Sequence, residues 1–210
     1  MDKVVIFHED SSAIRYLTTV DEEMASLISR VGNYTLKLHI NYFEALIYSI
    51  IGQQLSAKVA IVLRQRVMEL CSGYITPQAI LDCSDEALRA KGISTAKSVY
   101  LKNVARSVLA GDINFELFVK MTDQEVIQEL TKIKGIGQWT AEMFLIFSLG
   151  RLDILSMADV GLQRAIKWLY KLDSAPNAFT LKELREVWSP YCTVASLYLW
   201  EVINQDYISQ

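Results

Sequence analysis

The sequence is poor in the two residues that most often end a helix or a strand. Its 210 residues include only 3 prolines and 9 glycines. Folds made of many short strands need turns that are rich in both residues. This composition therefore disfavours an all-β protein, and the mostly helical spacing of the apolar residues predicts an all-α chain of about ten helices or more. One predicted helix covers residues 138–149, and Ser56, Ser84 and Thr122 are predicted to cap the starts of three others. Residues 4–7 form a short β-like run, which is either a stray strand or an extended arm.

Cysteine is equally scarce. Cys71, Cys83 and Cys192 are an odd number and contain no Cys-x-x-Cys pair, so they indicate neither a zinc site nor a disulfide framework. Three cysteines are also too few to ligate a four-cysteine iron–sulfur cluster. We therefore expect reduced thiols, no iron–sulfur cluster and no other required cofactor.

Long apolar runs are missing as well, and we do not expect a signal peptide at the start of the sequence. The first twenty residues contain Asp2, His8, Glu9 and Asp10, which is unlike a secretory signal. The longest apolar stretches, such as residues 45–51, are too short to cross a bilayer. We expect a protein that is not secreted, makes no use of a membrane and is a monomer.

Positive charge is in short supply, because the formal net charge is −3. Nucleic-acid-binding proteins are often basic, since their cations replace the counterions of the phosphates. One segment departs from this balance, because its charged residues are all cations: Arg89, Lys91, Lys97, Lys102 and Arg106. This cluster is either a solvated helix face or a local patch that binds an anion.

A turn with two glycines lies in residues 130–141, LTKIKGIGQWTA. Gly135 and Gly137 allow unusual backbone angles and remove side chains from the turn. A phosphate can then approach main-chain amides at the start of the next helix, and Lys134 adds charge. The alternative is an ordinary helix end capped by glycine. Residues 88–97, LRAKGISTAK, have a similar pattern, which predicts a helix end, a turn that contains glycine and a new helix.

Four motifs in this order resemble those of the helix-hairpin-helix (HhH-GPD) DNA glycosylase superfamily. They are IIGQQLS at 50–56, the turn segment 130–141, DILSMADVGL at 153–162 and WSPYCTVASLYLW at 188–200. The family pattern Asp-x-(hydrophobic)-Pro-x-x-Asp-x-Gly has Ser156 in place of its proline, and its second aspartate aligns with Asp159. Cys192 and Thr193 replace the usual Arg-Ser pair of the last motif.

This resemblance implies a fold of two helical lobes with a helix-hairpin-helix motif and a cleft between the lobes. A six-helix barrel is expected over residues 42–149, and residues 1–41 with 150–210 are expected to form the second lobe. The expected partner is duplex DNA that contains a damaged base. The protein would then work in the bacterial cytoplasm, near the nucleoid, or in a eukaryotic nucleus.

The residue at position 139 indicates a branch of the superfamily. Members that also cut the DNA backbone have a lysine near this place, which forms a Schiff base with the sugar. Trp139 stands here instead, so the sequence resembles the 3-methyladenine DNA glycosylase II branch. These enzymes hydrolyse the N-glycosidic bond of alkylated purines and leave an abasic site. The alternatives are a glycosylase for deaminated, oxidised or etheno purines and a non-catalytic DNA-binding module.

The resemblance also implies roles for individual residues. Asp159 is expected to be catalytic, in the first turn of a helix predicted over 156–172; the alternative is a capping box with Ser156. Gln54, with Leu55 beside it, is expected to fill the gap left by the flipped base, and Lys97 to contact DNA. Aromatic residues are expected to line the base pocket: Trp139, Trp200, Tyr42 and Tyr191, with Tyr198 as a weaker candidate. The backbone carbonyls of three hairpin residues are expected to hold a sodium or potassium ion: Thr131, Ile133 and Ile136.

Overall fold

The computed structural model describes residues 3–205 and residue 207. Contacts within the chain divide it into two compact units. One unit comprises His39–Leu149, and the other joins the N-terminal segment up to Leu38 to the segment from Gly150 onward. The prediction of a helical fold is confirmed, with the addition of one small two-stranded sheet in the described residues.

The unit His39–Leu149 is entirely helical in structure, and polar side chains begin most of its helices. Side chains of Asn41, Ser56, Ser84 and Thr122 each accept a hydrogen bond from a first-turn amide, as N-cap residues do. Its helices are α3 (Tyr42–Gly52), α4 (Ala57–Leu70), α5 (Pro77–Asp82), α6 (Asp85–Ala90), α7 (Thr95–Ala110), α8 (Phe115–Phe118), α9 (Asp123–Thr131) and α10 (Gln138–Phe144).

Helix α3 lies at the centre of this unit, since it packs against α4, α7 and α10. Its apolar side chains are fully buried at Leu46, Ile47, Ile50 and Ile51. The predicted helix over 138–149 is α-helical only as far as Phe144, and a π-helical turn (Leu145–Leu149) completes it. The burial of α3 fixes the position of the short turn that follows it.

In its described residues, the second unit contains the sheet and five α-helices. Strands β1 (Lys3–Phe7) and β2 (Tyr34–Leu38) are antiparallel, with Val5 opposite Leu36. The sequence predicted an extended run at 4–7 but not its partner strand. The helices are α1 (Ser12–Val20), α2 (Glu22–Val31), α11 (Val160–Leu169), α12 (Ala178–Trp188) and α13 (Cys192–Asn204).

Helix α13 forms the core of this second unit. Nearly all of its residues from Cys192 to Leu199 are fully buried, and it packs against α2, α11 and α12. Asp21 joins distant parts of the unit: it caps α2 through the Met24 amide and accepts hydrogen bonds from the Tyr170 hydroxyl and the Trp188 indole. Within the described residues, no helix combines the length and the hydropathy needed to cross a membrane.

Candidate active site

The predicted hairpin is present as the turn between α9 and α10. Gly135 has φ +114°, and a Cβ there would lie 2.3 Å from Cγ of Tyr100. A side chain would therefore strain the backbone and collide with the tyrosine ring. The Ile136 amide donates to the Ile133 carbonyl at 3.0 Å, and both isoleucines are buried. Packing inside the unit thus explains the glycine at 135.

Packing does not explain the glycine at 137. Gly137 is exposed, has φ −90° and has no heavy atom within 4 Å of the position that a Cβ would occupy. It is the N-cap of α10, and the exposed Lys134 lies three residues before it. The first amides of an α-helix have no partner within the helix. The surface at Gly137 is therefore open to an anion that reaches these amides.

A second exposed turn follows α3. Gln54 and Leu55 are both exposed, and Gln54 has φ +57°, a left-handed conformation that is uncommon for a residue with a side chain. The ammonium of Lys97 donates to the carbonyls of Ile51 and Gln53 at 2.7 and 2.8 Å. Burial lowers the pKa of Lys97 from its ordinary value. Lys97 therefore fixes the end of α3, and its expected DNA contact stays a prediction.

Two side chains that the sequence interpretation missed hold the hairpin turn in place. The Gln53 amide donates to the Gly135 carbonyl at 3.0 Å and to the Thr140 hydroxyl at 3.1 Å. The Asn103 amide donates to the Lys134 carbonyl at 3.1 Å. The two adjacent glutamines of IIGQQLS were the only sign in the sequence of such a role. The sequence alone did not show which of them, Gln53 or Gln54, contacts the hairpin.

Asp159 lies at the start of α11, but as its N-cap residue rather than in its first turn. The expected helix start at 156 is wrong, because residues 156–159 form a turn in which the Asp159 amide donates to the Ser156 carbonyl at 3.0 Å. The Asp159 carboxylate accepts from the Leu162 amide at 2.6 Å and from the Trp200 indole at 3.4 Å. The N-terminus of a helix favours an anion at this place.

The segment before Asp159 is held by the start of α13. The Thr193 hydroxyl donates to the Arg151 carbonyl at 2.8 Å and accepts from the Ile154 amide at 3.0 Å. The Asp153 carboxylate accepts from the Ser189 hydroxyl at 2.8 Å and from the Cys192 amide at 3.3 Å. Burial raises the pKa of Asp153, but the Cys192 thiol, the Ser189 hydroxyl, the Cys192 amide and the charge of Arg185 together outweigh burial and hold this pKa below its ordinary value. The two residues that replace Arg-Ser thus position the segment that leads to Asp159.

Comparisons with known proteins agree with this geometry. Residues 47–190 match the model of the HhH-GPD superfamily of base excision DNA repair proteins. The chain belongs to this superfamily. The prediction made from the four motifs is therefore confirmed.

Three comparisons with individual proteins illustrate the similarity. DNA-3-methyladenine glycosylase 1 of Schizosaccharomyces pombe is 33% identical over 192 residues, which cover 89% of this chain and 84% of that protein. The crystal structure of a DNA-3-methyladenine glycosidase from Bacillus halodurans has 41% identity and a TM-score of 0.84, with 97% and 94% coverage. The structure of the S. pombe enzyme with abasic DNA has a TM-score of 0.85 at 33% identity, with 92% and 97% coverage.

The aromatic residues proposed for the base pocket of this HhH-GPD protein have different environments. Trp139 is 37% exposed in the first turn of α10, and Trp200 contacts Asp159. Tyr42 belongs to an aromatic cluster, with its ring 5.9 Å from Phe115 and 5.6 Å from Phe144.

The two remaining tyrosines lie in the second unit. Tyr191 packs edge-on against Tyr16, with ring centroids 5.5 Å apart. Tyr198 is fully buried and donates to the Gly32 carbonyl at 2.9 Å. The weaker expectation for Tyr198 is therefore wrong, because its ring is core and its hydroxyl is hydrogen-bonded to the backbone. For the other four aromatic residues a pocket role stays a prediction.

The basic cluster at 89–106 is largely compensated by acids that precede it in the chain. Arg89 pairs with Glu86 at 3.0 Å, Lys91 with Glu69 at 3.8 Å and Lys102 with Asp85 at 2.6 Å. Three of the five cations thus have acidic partners, which favours the interpretation as a solvated helix face, and a local patch that binds an anion stays a prediction. Because the partners lie outside the segment or on other helices, charge counting within the segment could not detect them.

The hairpin carbonyls fit the expected monovalent cation in their chemistry. Thr131 ends α9, where helix carbonyls have no partner within the helix. The Ile133 carbonyl accepts one hydrogen bond from the Ile136 amide and retains a second lone pair. Backbone carbonyl oxygens are the ligands that potassium ions use in selective protein sites. Thr131, Ile133 and Ile136 would hold such an ion, which would add positive charge beside a phosphate.

Proposed function

We propose that this chain is a monofunctional DNA glycosylase that flips alkylated purines of the 3-methyladenine kind out of duplex DNA and hydrolyses their N-glycosidic bonds. The observation that carries the proposal is the carboxylate of Asp159, held at the N-terminus of α11 beside the indole of Trp200. The similar proteins named above are DNA-3-methyladenine glycosylases. The chain would work wherever the genome is, in a bacterial cytoplasm or a eukaryotic nucleus.

The chemistry requires one well-placed negative charge. Breaking the bond between a purine and deoxyribose builds positive charge on the sugar, as in glycoside hydrolysis. An N3-alkylated adenine is already cationic, so it departs without protonation by the enzyme. Asp159 would then stabilise the sugar cation and orient or deprotonate the attacking water. Its fixed hydrogen bond to the Leu162 amide keeps one oxygen in place during this step.

The proposed roles around this reaction follow from the exposed parts of the first unit. The hairpin amides at Gly137 would bind a phosphate of the backbone, with Lys134 beside them. Gln54 and Leu55 would fill the space left by the flipped base. Trp139, an exposed and electron-rich ring, suits stacking on a cationic base. No lysine is present in residues 138–141 to form a Schiff base, so the DNA strand would stay intact.

Substitution of Asp159 by asparagine tests the proposal. Asparagine is as good an N-cap residue as aspartate, so the start of α11 is retained while the negative charge is lost. We expect the single-turnover rate of 3-methyladenine release to fall by about a hundredfold or more. The matched control is Asp112→Asn, at an exposed aspartate outside the site, with an expected rate equal to that of the unmodified chain.

Strand breakage, base release by the variant and lesion preference test the proposal further. The product strand should break only after alkali, because the enzyme leaves an abasic site. Release of the base by Asp159→Asn at the normal rate would show that another group does the chemistry. A panel of duplexes that each contain one deaminated, oxidised or etheno purine measures the preference for alkylated bases in the same assay.

A further inference from the structure

The two exposed turns of the first unit are joined by one side chain. Gln53 lies in the turn that carries Gln54 and Leu55, and its amide nitrogen lies 3.0 Å from the carbonyl oxygen of Gly135 in the hairpin. The same nitrogen lies 3.1 Å from the hydroxyl of Thr140, which is buried in α10. These contacts link segments more than eighty residues apart in the chain.

The backbone at Gln53 is held by two helices of the same unit. The Lys97 ammonium donates to the Gln53 and Ile51 carbonyls at 2.8 and 2.7 Å, and the Gln53 amide N–H donates to the Ile50 carbonyl at 3.2 Å. Gln53 is therefore fixed at its main chain by α3 and α7 and at its side chain by the hairpin. Gln54, the next residue, has an exposed side chain and a left-handed backbone.

We propose that Gln53 is a positioning residue that holds the Gln54 turn in register with the phosphate-binding hairpin. The inference rests on the proposed function, since it assigns insertion into the duplex to Gln54 and phosphate binding to the hairpin. Base flipping requires the inserted side chain to enter the base stack at a fixed distance from the phosphate that is bound by the hairpin. Two hydrogen bonds from one amide set that distance, and small misplacements of such groups reduce rates strongly.

The test is a double-mutant cycle between neighbouring residues. Gln53→Met keeps the length of the side chain and removes its amide, and Gln54→Ala removes the inserted group. The readout is the fluorescence of 2-aminopurine placed opposite an abasic site in a duplex, which responds to insertion and requires no catalysis. The rate of 3-methyladenine release in single turnovers is measured in parallel. Gln65→Met, the same substitution at an exposed residue of α4, is the matched control.

We expect Gln53→Met to reduce both the fluorescence change and the excision rate by about tenfold. Affinity for undamaged duplex should stay within about twofold, because the phosphate contacts are retained. The double variant should be no worse than Gln54→Ala alone, since residues that act as one unit are not additive. Additive losses, or an unchanged excision rate in Gln53→Met, would overturn the proposal.

The melting temperature separates positioning from folding. It should fall by no more than about 10 °C in Gln53→Met, with a single cooperative transition, because two hydrogen bonds are lost while the packing of the unit is retained. If this variant does not fold, Gln53→Asn replaces it, because its shorter side chain stays polar but does not reach the Gly135 carbonyl. Failure of the proposed function would appear differently, as an absence of base release by the unmodified chain and by Gln65→Met. The fluorescence cycle would still measure the coupling of Gln53 to Gln54 in that case.

Discussion

Two turns in the first unit share three residues of a four-residue pattern and differ in the fourth. The sequence is KGIS at 91–94 and KGIG at 134–137. Gly92 and Gly135 both have positive φ, +93° and +114°, and the isoleucine after each is buried. At the last position, the Ser94 hydroxyl accepts from the Lys97 amide at 3.3 Å, whereas Gly137 has no side chain to offer.

The backbones of these last residues are similar, so the difference is chemical. Ser94 has φ −64° and ψ 154°, and Gly137 has φ −90° and ψ 174°. Both conformations are those of an N-cap residue. The first turn therefore satisfies an amide of its own helix and serves the fold, while the second leaves its amides accessible to an acceptor from outside the chain. Under the proposed function, the absence of a side-chain cap at Gly137 leaves these amides for a DNA phosphate.

The largest expected effect is on stability, at the glycine that both turns share. Gly135→Ala places a Cβ 2.3 Å from the Tyr100 ring at φ +114° and should reduce the free energy of unfolding by about 3 kcal/mol or more. Gly92→Ala meets the end of the flexible Leu63 side chain at 2.9 Å and the Arg66 guanidinium at an ordinary contact distance of 3.6 Å, and should cost about 1–2 kcal/mol. Urea unfolding measures both values. Equal losses in the two variants would contradict the packing account of Gly135.

The second prediction gives the uncapped turn at 134–137 the serine cap of the turn at 91–94. Gly137→Ser supplies a hydroxyl that accepts a first-turn amide, so the free energy of unfolding should stay equal or rise by a few tenths of a kcal/mol. Affinity for a duplex with an abasic site should fall about tenfold, or about 1.4 kcal/mol, because the hydroxyl competes with the phosphate. Fluorescence anisotropy of a labelled duplex at a fixed salt concentration measures this affinity.

The matched control for that prediction is Gly137→Ala. It adds a Cβ without a hydrogen-bonding oxygen, and the structure has open space for it. The loss of affinity should therefore be smaller than in Gly137→Ser. If both variants bind as tightly as the unmodified chain, the amides after Gly137 do not contact DNA.

The sequence predicted those parts of the molecule that depend on local pattern or on motif order. Helical periodicity and capping residues such as Ser56, Ser84 and Thr122 predicted most helices correctly. The order of four motifs predicted the family, and the spacing within 153–162 identified Asp159. The catalytic role of Asp159 stays a prediction. These features are local because a cap, a turn or an apolar stripe involves neighbours along one element.

The rest depends on contacts between distant residues. Lys97 reads as a surface cation in the sequence, yet its ammonium contacts the end of a helix that lies more than forty residues earlier. The helix predicted from 156 begins at Val160, because Ser156 is fully buried and takes part in a turn instead of a cap. Strand β2 was missed, because in the described residues it is held as a strand by β1, which lies about thirty residues earlier in the chain.

The smallest expected effect concerns the turn at 91–94, which is capped by Ser94. Ser94→Ala removes the cap of α7 and should lower the free energy of unfolding by about 1 kcal/mol. Its excision rate at 25 °C should equal that of the unmodified chain, because the contacts of the Lys97 ammonium with Ile51 and Gln53 do not involve the Ser94 hydroxyl. Urea unfolding and single-turnover kinetics measure the two quantities on the same preparation.

Ser84→Ala is the matched control, since the Ser84 hydroxyl caps α6 through the Ala87 amide at 3.1 Å in the same manner. Both serine variants should lose stability and keep activity, whereas Gly137→Ser should keep stability and lose DNA affinity. This opposite pattern separates a turn that completes a fold from one that binds a ligand. A loss of DNA affinity in Ser94→Ala as large as that in Gly137→Ser would mean that the two turns have the same role, despite the missing cap at Gly137.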